Sequence, residues 1–293
     1  MSSFISYLIS GISLGSVYAI IALGYTMVYG IAKMLNFAHG DVIMVGSYVV
    51  YVAVSGMGLN PILAILLSII ICTLMGVVIE GVAYRPLRNA ASPLAVLITA
   101  IGVSYLLQNV ALLIWGADTK SFSNVISLPS LKLAGGSIVI TGVTIVTIIG
   151  GILIMAMIFI KKSKSGQAML AVSEDKGAAQ LMGINVNKTI SITFAIGSGL
   201  AAIAGVLLCS AYPSLTPYTG AMPGIKAFVA AVFGGIGSIP GAFIGGVVLG
   251  ILEIFGKAYI SSQMADAIVF GVLIVVLVVK PTGILGKNIQ EKV

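Results

Sequence analysis

Charge is scarce in this sequence. Of its 293 residues only 8% are Asp, Glu, Lys or Arg, while 59% are apolar; an average soluble domain carries about 25% charge. A surface so poor in charge would precipitate in water. That excludes a soluble enzyme, a disordered chain, a collagen-like fibre and a secreted disulfide scaffold. Histidine occurs once and cysteine twice, and Cys72 and Cys209 both sit inside apolar runs. They read as small packed hydrophobes, and with no C-x-x-C and no histidine cluster a metal site has no support. No G-x-x-x-x-G-K-[ST] is present, so ATP is not held by this chain through a P-loop. No cofactor and no catalytic residue are assigned to it.

What the sequence has is apolar length. At about 20 residues per crossing, the apolar total of roughly 170 residues supplies about eight crossings. The expected fold is an all-α polytopic membrane protein. It is a bundle of about eight to nine transmembrane segments with broken or re-entrant helices and Gly-rich packing, forming a single transmembrane domain over 1–293. Apolar stretches run near 4–31, 36–54, 61–83, 93–115, 138–160, 189–212, 224–234, 240–256 and 265–280. The first lacks a positive n-region and is too long for a signal-peptide core, so it is expected to be retained as a span. Residues 116–137 read as an irregular polar loop, and 161–188 as a basic connector.

The net charge of +7 points to membrane lipid and cytoplasmic loops, with no nucleic acid implied. Alternate placement of the loops puts Lys33, Arg85, Arg88, the five lysines of 161–188, Lys280, Lys287 and Lys292 on one side. Lys120, Lys132 and Lys257 fall on the other. The richer side is then cytoplasmic, with the N-terminus outside and the C-terminus inside.

Glycine is abundant, 36 residues, many in small-xxx-small spacing such as Gly11/Gly15, Gly241/Gly245 and Gly246/Gly250. Such spacing lets helices approach closely in lipid. Residues 11–54 and 197–246 echo each other weakly: a Gly-rich span, a break, another apolar run. Matching breaks point to a transport path.

Three stretches carry candidate function. Asn36-Phe37-Ala38-His39-Gly40-Asp41 is the most polar place bounded by apolar runs, so Asn36, His39 and Asp41 read as path-lining or gating residues, with Asn36 a candidate cap of the next helix. The plainer reading is an interfacial turn. The break Gly234-Gly235-Ile236-Gly237-Ser238-Ile239-Pro240-Gly241 splits a run into two short pieces. Gly234, Gly235, Gly237 and Pro240 are therefore also candidates for lining or gating, the two pieces being either short spans or a re-entrant pair. In 173–185, Glu174 and Asp175 precede helix formers over 178–182 within Gly177-Ala178-Ala179-Gln180-Leu181-Met182-Gly183, and Gly183 can stop the helix. Ala178, Ala179, Leu181 and Met182 would give a smooth surface suited to a partner's groove; the alternative is a solvated connector.

Other motifs lack their context. Gly11-Ile12-Ser13-Leu14-Gly15 fits a nucleophile elbow but lies inside a span, with His39 the sole candidate base. Gly197-Ser198-Gly199-Leu200-Ala201-Ala202 opens no βαβ unit. Asn187-Lys188-Thr189 is a sequon placed on the cytoplasmic side. An ion-coupled carrier using Asp41, His39, Glu80 or Glu253 is the alternative to a partner-driven permease.

Gly24-Tyr25-Thr26-Met27-Val28-Tyr29-Gly30, Asn36 to Asp41, Ser173 to Asn185, and Ala231 to Gly246 together resemble LivH-type permeases of bacterial branched-chain amino-acid ABC importers, over nearly the whole chain. The resemblance implies a LivM-like second permease, two ATPases similar to LivG and LivF that bind the ATP, and a periplasmic amino-acid-binding protein. It implies the bacterial inner membrane, and branched-chain amino acids as cargo, although family members also move amides and urea. Permeases of ABC importers carry an E-A-A-x-x-x-G loop that docks on the ATPase. Gly177 to Gly183 match it except at the first position, where Gly replaces Glu.

Overall fold

The computed structural model describes residues 2–88, 93–122, 125–126, 131–133, 138–141, 144, 146–148, 150 and 163–286. Long apolar runs become long helices. α1 (Ser2–Ala32), α3 (Pro61–Ile79), α4 (Pro93–Trp115), α7 (Val186–Ala211) and α9 (Ile239–Tyr259) are all apolar and long enough to cross a bilayer, α3 continuing through a π turn (Glu80–Tyr84) and a 3₁₀ turn (Arg85–Leu87). Three apolar helices are shorter: α2 (His39–Tyr51, continued by a π turn Val52–Gly56), α8 (Ala221–Gly234) and α10 (Ala265–Val279). At 13 and 14 residues, α2 and α8 rise about 20 Å, short of the ~30 Å hydrocarbon layer. α5 (Lys164–Glu174) and α6 (Lys176–Leu181) are short and polar. Among the described residues there are also two small antiparallel pairs: β1 (Lys120–Ser121) with β4 (Ser214–Leu215), and β2 (Leu131–Leu133) with β3 (Ile138–Ile140).

Helix ends follow local chemistry. Asn60 caps α3 by accepting from the Ile62 N–H at 2.9 Å, with Pro61 in the first turn. Asn185 caps α7 and Ser238 caps α9 in the same way, satisfying donors that a helix start leaves open. α1 stops where Lys33 adopts φ 58°, alone among the described non-glycine residues in the left-handed region, turning the chain back toward the bundle.

α7 is the central helix and packs on α1, α2 and α3. Phe194, Ala201, Ala202, Ala204 and Cys209 on it are fully enclosed. Glycine sets the tightest contacts, as the spacing predicts. A Cβ on Gly250 of α9 would lie 2.2 Å from the Gly15 Cα of α1, and one on Gly241 would lie 2.2 Å from the Gly234 carbonyl oxygen of α8. Outward-facing apolar residues form ladders, Ile62, Leu66, Ile70, Leu74 and Val78 along α3 and Val82 in the π turn after it being all exposed. Every fourth residue falls on one helix face, so this face meets lipid or a partner chain.

Two ends of the bundle are distinct. At one end, here the Glu80 end, lie the close of α1, the turns after α3, α5, α6, the start of α7 and the α8–α9 turn. At the other, the Glu253 end, the Phe4 ring meets Phe255 at 5.2 Å and the Tyr7 ring meets Tyr259 at 5.9 Å.

The structure corrects several expectations. The 36–54 run starts its helix only at His39, and Ala38 holds the N-cap position without a side-chain cap, so Asn36 does not cap it. The 116–137 loop contains β1 and β2, and Ile138–Ile140 is a strand where a span was expected to begin. Most of the remainder of the expected 138–160 span lies outside the described residues, as do Lys161, Lys162, Lys287 and Lys292. The 161–188 connector carries two helices.

Candidate functional site

After α1 ends, residues 33–38 fold back along it, so that α2 begins beside the interior of α1. His39, 1% exposed, lies so close to α1 that a Cβ on Gly24 would fall 2.6 Å from its Nε2, and its ring meets Tyr25 edge-on at 4.6 Å. Only a glycine at 24 admits it. The next residue, Gly40, faces the start of α8: a Cβ on Gly220 would lie 1.8 Å from the Gly40 carbonyl oxygen, and one on Gly224 would lie 2.8 Å from the Gly40 Cα. Two short helices therefore begin backbone to backbone inside the bundle. α2 then runs toward the Glu253 end and α8 toward the Glu80 end.

Two of the polar residues here, Asn36 and Asp41, are enclosed and paired. Asn36 accepts from the Tyr84 hydroxyl at 2.9 Å, and Asp41 accepts from the Gln108 amide at 2.8 Å. Both are nearly inaccessible, at 4% and 2%. The His39 Nε2 has no hydrogen-bond partner among the described residues. Ser13 sits 11 residues before Gly24 on α1, about 16 Å along the axis, so Ser13 and His39 do not form a nucleophile–base pair.

Gly234, Gly235, Gly237 and Pro240 are placed elsewhere. They make the turn between α8 and α9 at the Glu80 end, with Gly235 at φ 106° and Gly237 at φ 90°. Residues 280–286 close over it: the Ile284 N–H donates to the Phe233 carbonyl and the Leu285 N–H to the Gly234 carbonyl, both at 2.9 Å. This is a capped surface turn. The break at depth is the one before α8, Pro213 to Gly220.

The third stretch forms α6. Asp175 caps it by accepting from the Ala178 N–H at 2.9 Å, and Gly183, at φ 81°, ends it. Leu181 and Met182 stand out at 90% and 82% exposed, and Glu174, Gly177 and Ala178 are exposed with them. Ala179 faces the other way and is buried. It anchors the helix to the bundle, and the presented surface is Ala178, Leu181 and Met182. Lys176 ties α6 to α1 by donating to the Ala32 carbonyl at 3.0 Å. Burial, with Arg88 and Lys33 adding repulsion, holds the Lys176 ammonium below the ordinary lysine pKa.

Beside α6, Glu80 is fully enclosed and receives Arg85 at 3.1 Å, Arg88 and the Ser191 hydroxyl. Arg88 also reaches Asn187. This clamp joins the end of α3 to the start of α7.

A family profile described as "Branched-chain amino acid transport system / permease component" matches residues 7–278. The chain belongs to this permease family. It is 45% identical to the high-affinity branched-chain amino acid transport system permease protein LivH of Salmonella typhimurium, over 99% of this chain and 98% of that one. The BraD permease protein of Pseudomonas aeruginosa is equally similar, at 45% over 99% and 98%. At 28% identity, over 78% of this chain and 70% of the other, it is similar to the autoinducer 2 import system permease protein LsrD of Escherichia coli.

One feature of the permease escaped the sequence reading. Lys226 of α8 reaches Glu253 of α9 at 2.9 Å and Asp266 of α10 at 2.7 Å, and Lys257 reaches the same Glu253 oxygen at 2.6 Å. The Tyr18 hydroxyl donates to the other Glu253 oxygen at 2.8 Å. Glu253 and Lys226 are both buried. An ionisable residue well inside an apolar run is the signal that finds them. Gly220 and Gly224 were legible only as part of a Pro/Gly-containing stretch, Pro217 to Gly224.

Proposed function

We propose that this permease forms half of the translocation path of an ATP-driven importer of branched-chain amino acids. Its partners are a LivM-like second permease, two ATPases similar to LivG and LivF, and an extracytoplasmic amino-acid-binding protein. The observation that carries the reading is end-to-end similarity to LivH and BraD, joined to a short capped helix that presents Leu181 and Met182 to solvent. An exposed Leu-Met pair on a polar connector is a contact surface awaiting a groove.

The Glu80 end is the cytoplasmic face. Lys33, Arg85, Arg88, Lys176 and Lys188 gather on the elements of that end, against Lys120 and Lys257 at the other, and such an excess marks the inside. The N-terminus is then outside and the C-terminus inside. ATPase closure moves α6, and the Lys176–Ala32 contact carries the motion to the end of α1. The 33–38 connector carries it on to His39 and Gly40, where α2 meets α8. Asn36, His39 and Asp41 serve this junction as its supports, and nucleotide biases two arrangements of it. The α8–α9 turn with Gly234, Gly235, Gly237 and Pro240 sits beside the same face and fixes the lower end of α8.

Co-expression with the four partner classes and purification in mild detergent tests the assembly. Uptake of leucine by proteoliposomes holding ATP then tests the activity. Accumulation that needs ATP, the ATPases and the binding protein is the expected result. Accumulation by this chain alone, driven by an ion gradient, would sink the proposal.

A further inference from the structure

A cavity of ≈ 340 Å³ lies at the Glu253 end, bounded by α1, α7, α8, α9 and residues 212–220. Its size falls at the small end of ligand pockets, which run ~300–1,000 Å³. The lining is of two kinds: Leu14, Leu208 and Met222 are apolar, whereas Glu253, Lys257 and Thr216 are polar. A second space of ≈ 270 Å³ shares Leu14 and Leu208 with it and adds the hydroxyls of Ser10, Ser13 and Ser210.

Charge decides what such a space accepts. Lys226, Lys257, Glu253 and Asp266 are linked by ion pairs and sum to zero. Glu253 is 2% exposed, so its charge is stable only because the lysines and Tyr18 surround it. A lone cation or a lone anion entering would add a net charge to a balanced group of which Lys226 and Glu253 are buried. A zwitterion leaves the sum at zero. It can also be met at both charges: its carboxylate by the Lys257 ammonium, which is 37% exposed beside Glu253, and its ammonium by the Glu253 oxygen that accepts from Tyr18 and by the Thr216 hydroxyl. Leu14, Leu208 and Met222 then take an apolar side chain, whose removal from water contributes about 25 cal/mol per Å².

Resting on the importer reading above, we infer that this cavity is a binding subsite for the zwitterion of an apolar amino acid, which the permease occupies with cargo before the helices rearrange. Lys257 is the carboxylate contact and Glu253 the ammonium contact.

The test uses the complete transporter in lipid nanodiscs without nucleotide or binding protein, carrying Met222→Cys. Met222 lines the cavity and is 42% exposed, while native Cys72 and Cys209 are enclosed, so a methanethiosulfonate reagent reads the cavity. L-Leucine is expected to slow labelling severalfold. 3-Methylbutylamine and 4-methylpentanoate, each with the same carbon branch and one charge, are expected to leave it unchanged at equal concentration. Adding Lys257→Gln should raise the leucine concentration needed for protection roughly tenfold, the usual loss for a charge-assisted hydrogen bond, and Lys257→Arg should restore it, with subunit co-elution unchanged. No protection by leucine, or equal protection by either singly charged analogue, overturns the inference, as does protection indifferent to Lys257→Gln. Because labelling needs no transport, failure of ATP-driven uptake by the unmodified transporter counts separately, against the importer reading.

Discussion

The junction of α2 with α8 makes a quantitative demand. A Cβ at position 220 would lie 1.8 Å from the Gly40 carbonyl oxygen, 2.7 Å from its carbonyl carbon and 3.2 Å from the Met44 nitrogen. All three are backbone atoms, so no side chain can rotate away. An unstrained carbon–oxygen contact needs about 3.3 Å, so Gly220→Ala must push the two helix starts apart by roughly 1.5 Å. Overpacking of this kind costs about 1–3 kcal/mol and sometimes more. Nothing offsets it, since Gly220 is the N-cap of α8, where alanine caps poorly. Gly102 in α4 and Gly271 in α10 are internal controls, each with nothing within 4 Å of a built Cβ. Alanine there should be neutral or stabilising by up to about 1 kcal/mol, the helix-propensity difference. Thermal unfolding of the purified transporter, followed by loss of the monodisperse peak after heating, ranks the three variants. Leucine uptake on the same samples should fall for Gly220→Ala beyond what the fraction folded explains, because the displaced atoms belong to the junction itself. If Gly220→Ala matched Gly102→Ala in both assays, the close approach of α2 and α8 would not exist in the working protein.

Glu80→Ala leaves Arg88, whose side chain is 11% exposed, without its carboxylate. Breaking a buried pair costs 3–5 kcal/mol, and the low end of about 3 kcal/mol is expected because Arg85 is 46% exposed and keeps its water; unfolding measurements check this, and a loss below about 1 kcal/mol would class the clamp with surface pairs. Leu181→Asp with Met182→Asp should leave stability within about 0.5 kcal/mol yet abolish co-purification of the ATPases, whereas Ala179→Asp should prevent folding because it buries a charge; retention of the ATPases by the double variant would refute the docking surface. The folded pKa of Lys176 lies below 10.5, so the unfolded chain binds more protons in the window between them. Stability should therefore rise as pH increases through that alkaline window, and Lys176→Gln should flatten the rise in pH-dependent unfolding curves.

Helix existence and the small-residue contacts were readable because each depends on short-range pattern. Gly11/Gly15 and Gly246/Gly250 announce their role by spacing alone, and the structure packs α1 on α9 through them. Partner identity was not readable in the same way. Gly24 with His39, Gly40 with Gly220, and Lys226 with Glu253 are pairings between residues up to 180 positions apart, and no periodicity encodes which glycine faces which. The reading of 234–241 meets the same limit. A run of glycines and a proline is the local signature of any break, and it serves a capped surface turn as well as a helix start at depth. What separates them is the surroundings: Ile284 and Leu285 satisfy the carbonyls of one break, while Gly40 of a distant helix meets the other. Ala179 shows the limit within a single turn of helix. Ala178 and Ala179 are chemically identical, and only the position of α6 against α7 makes one a contact surface and the other an anchor. A sequence motif thus marks where chemistry or coupling is concentrated, and the three-dimensional neighbours assign which of its residues does what.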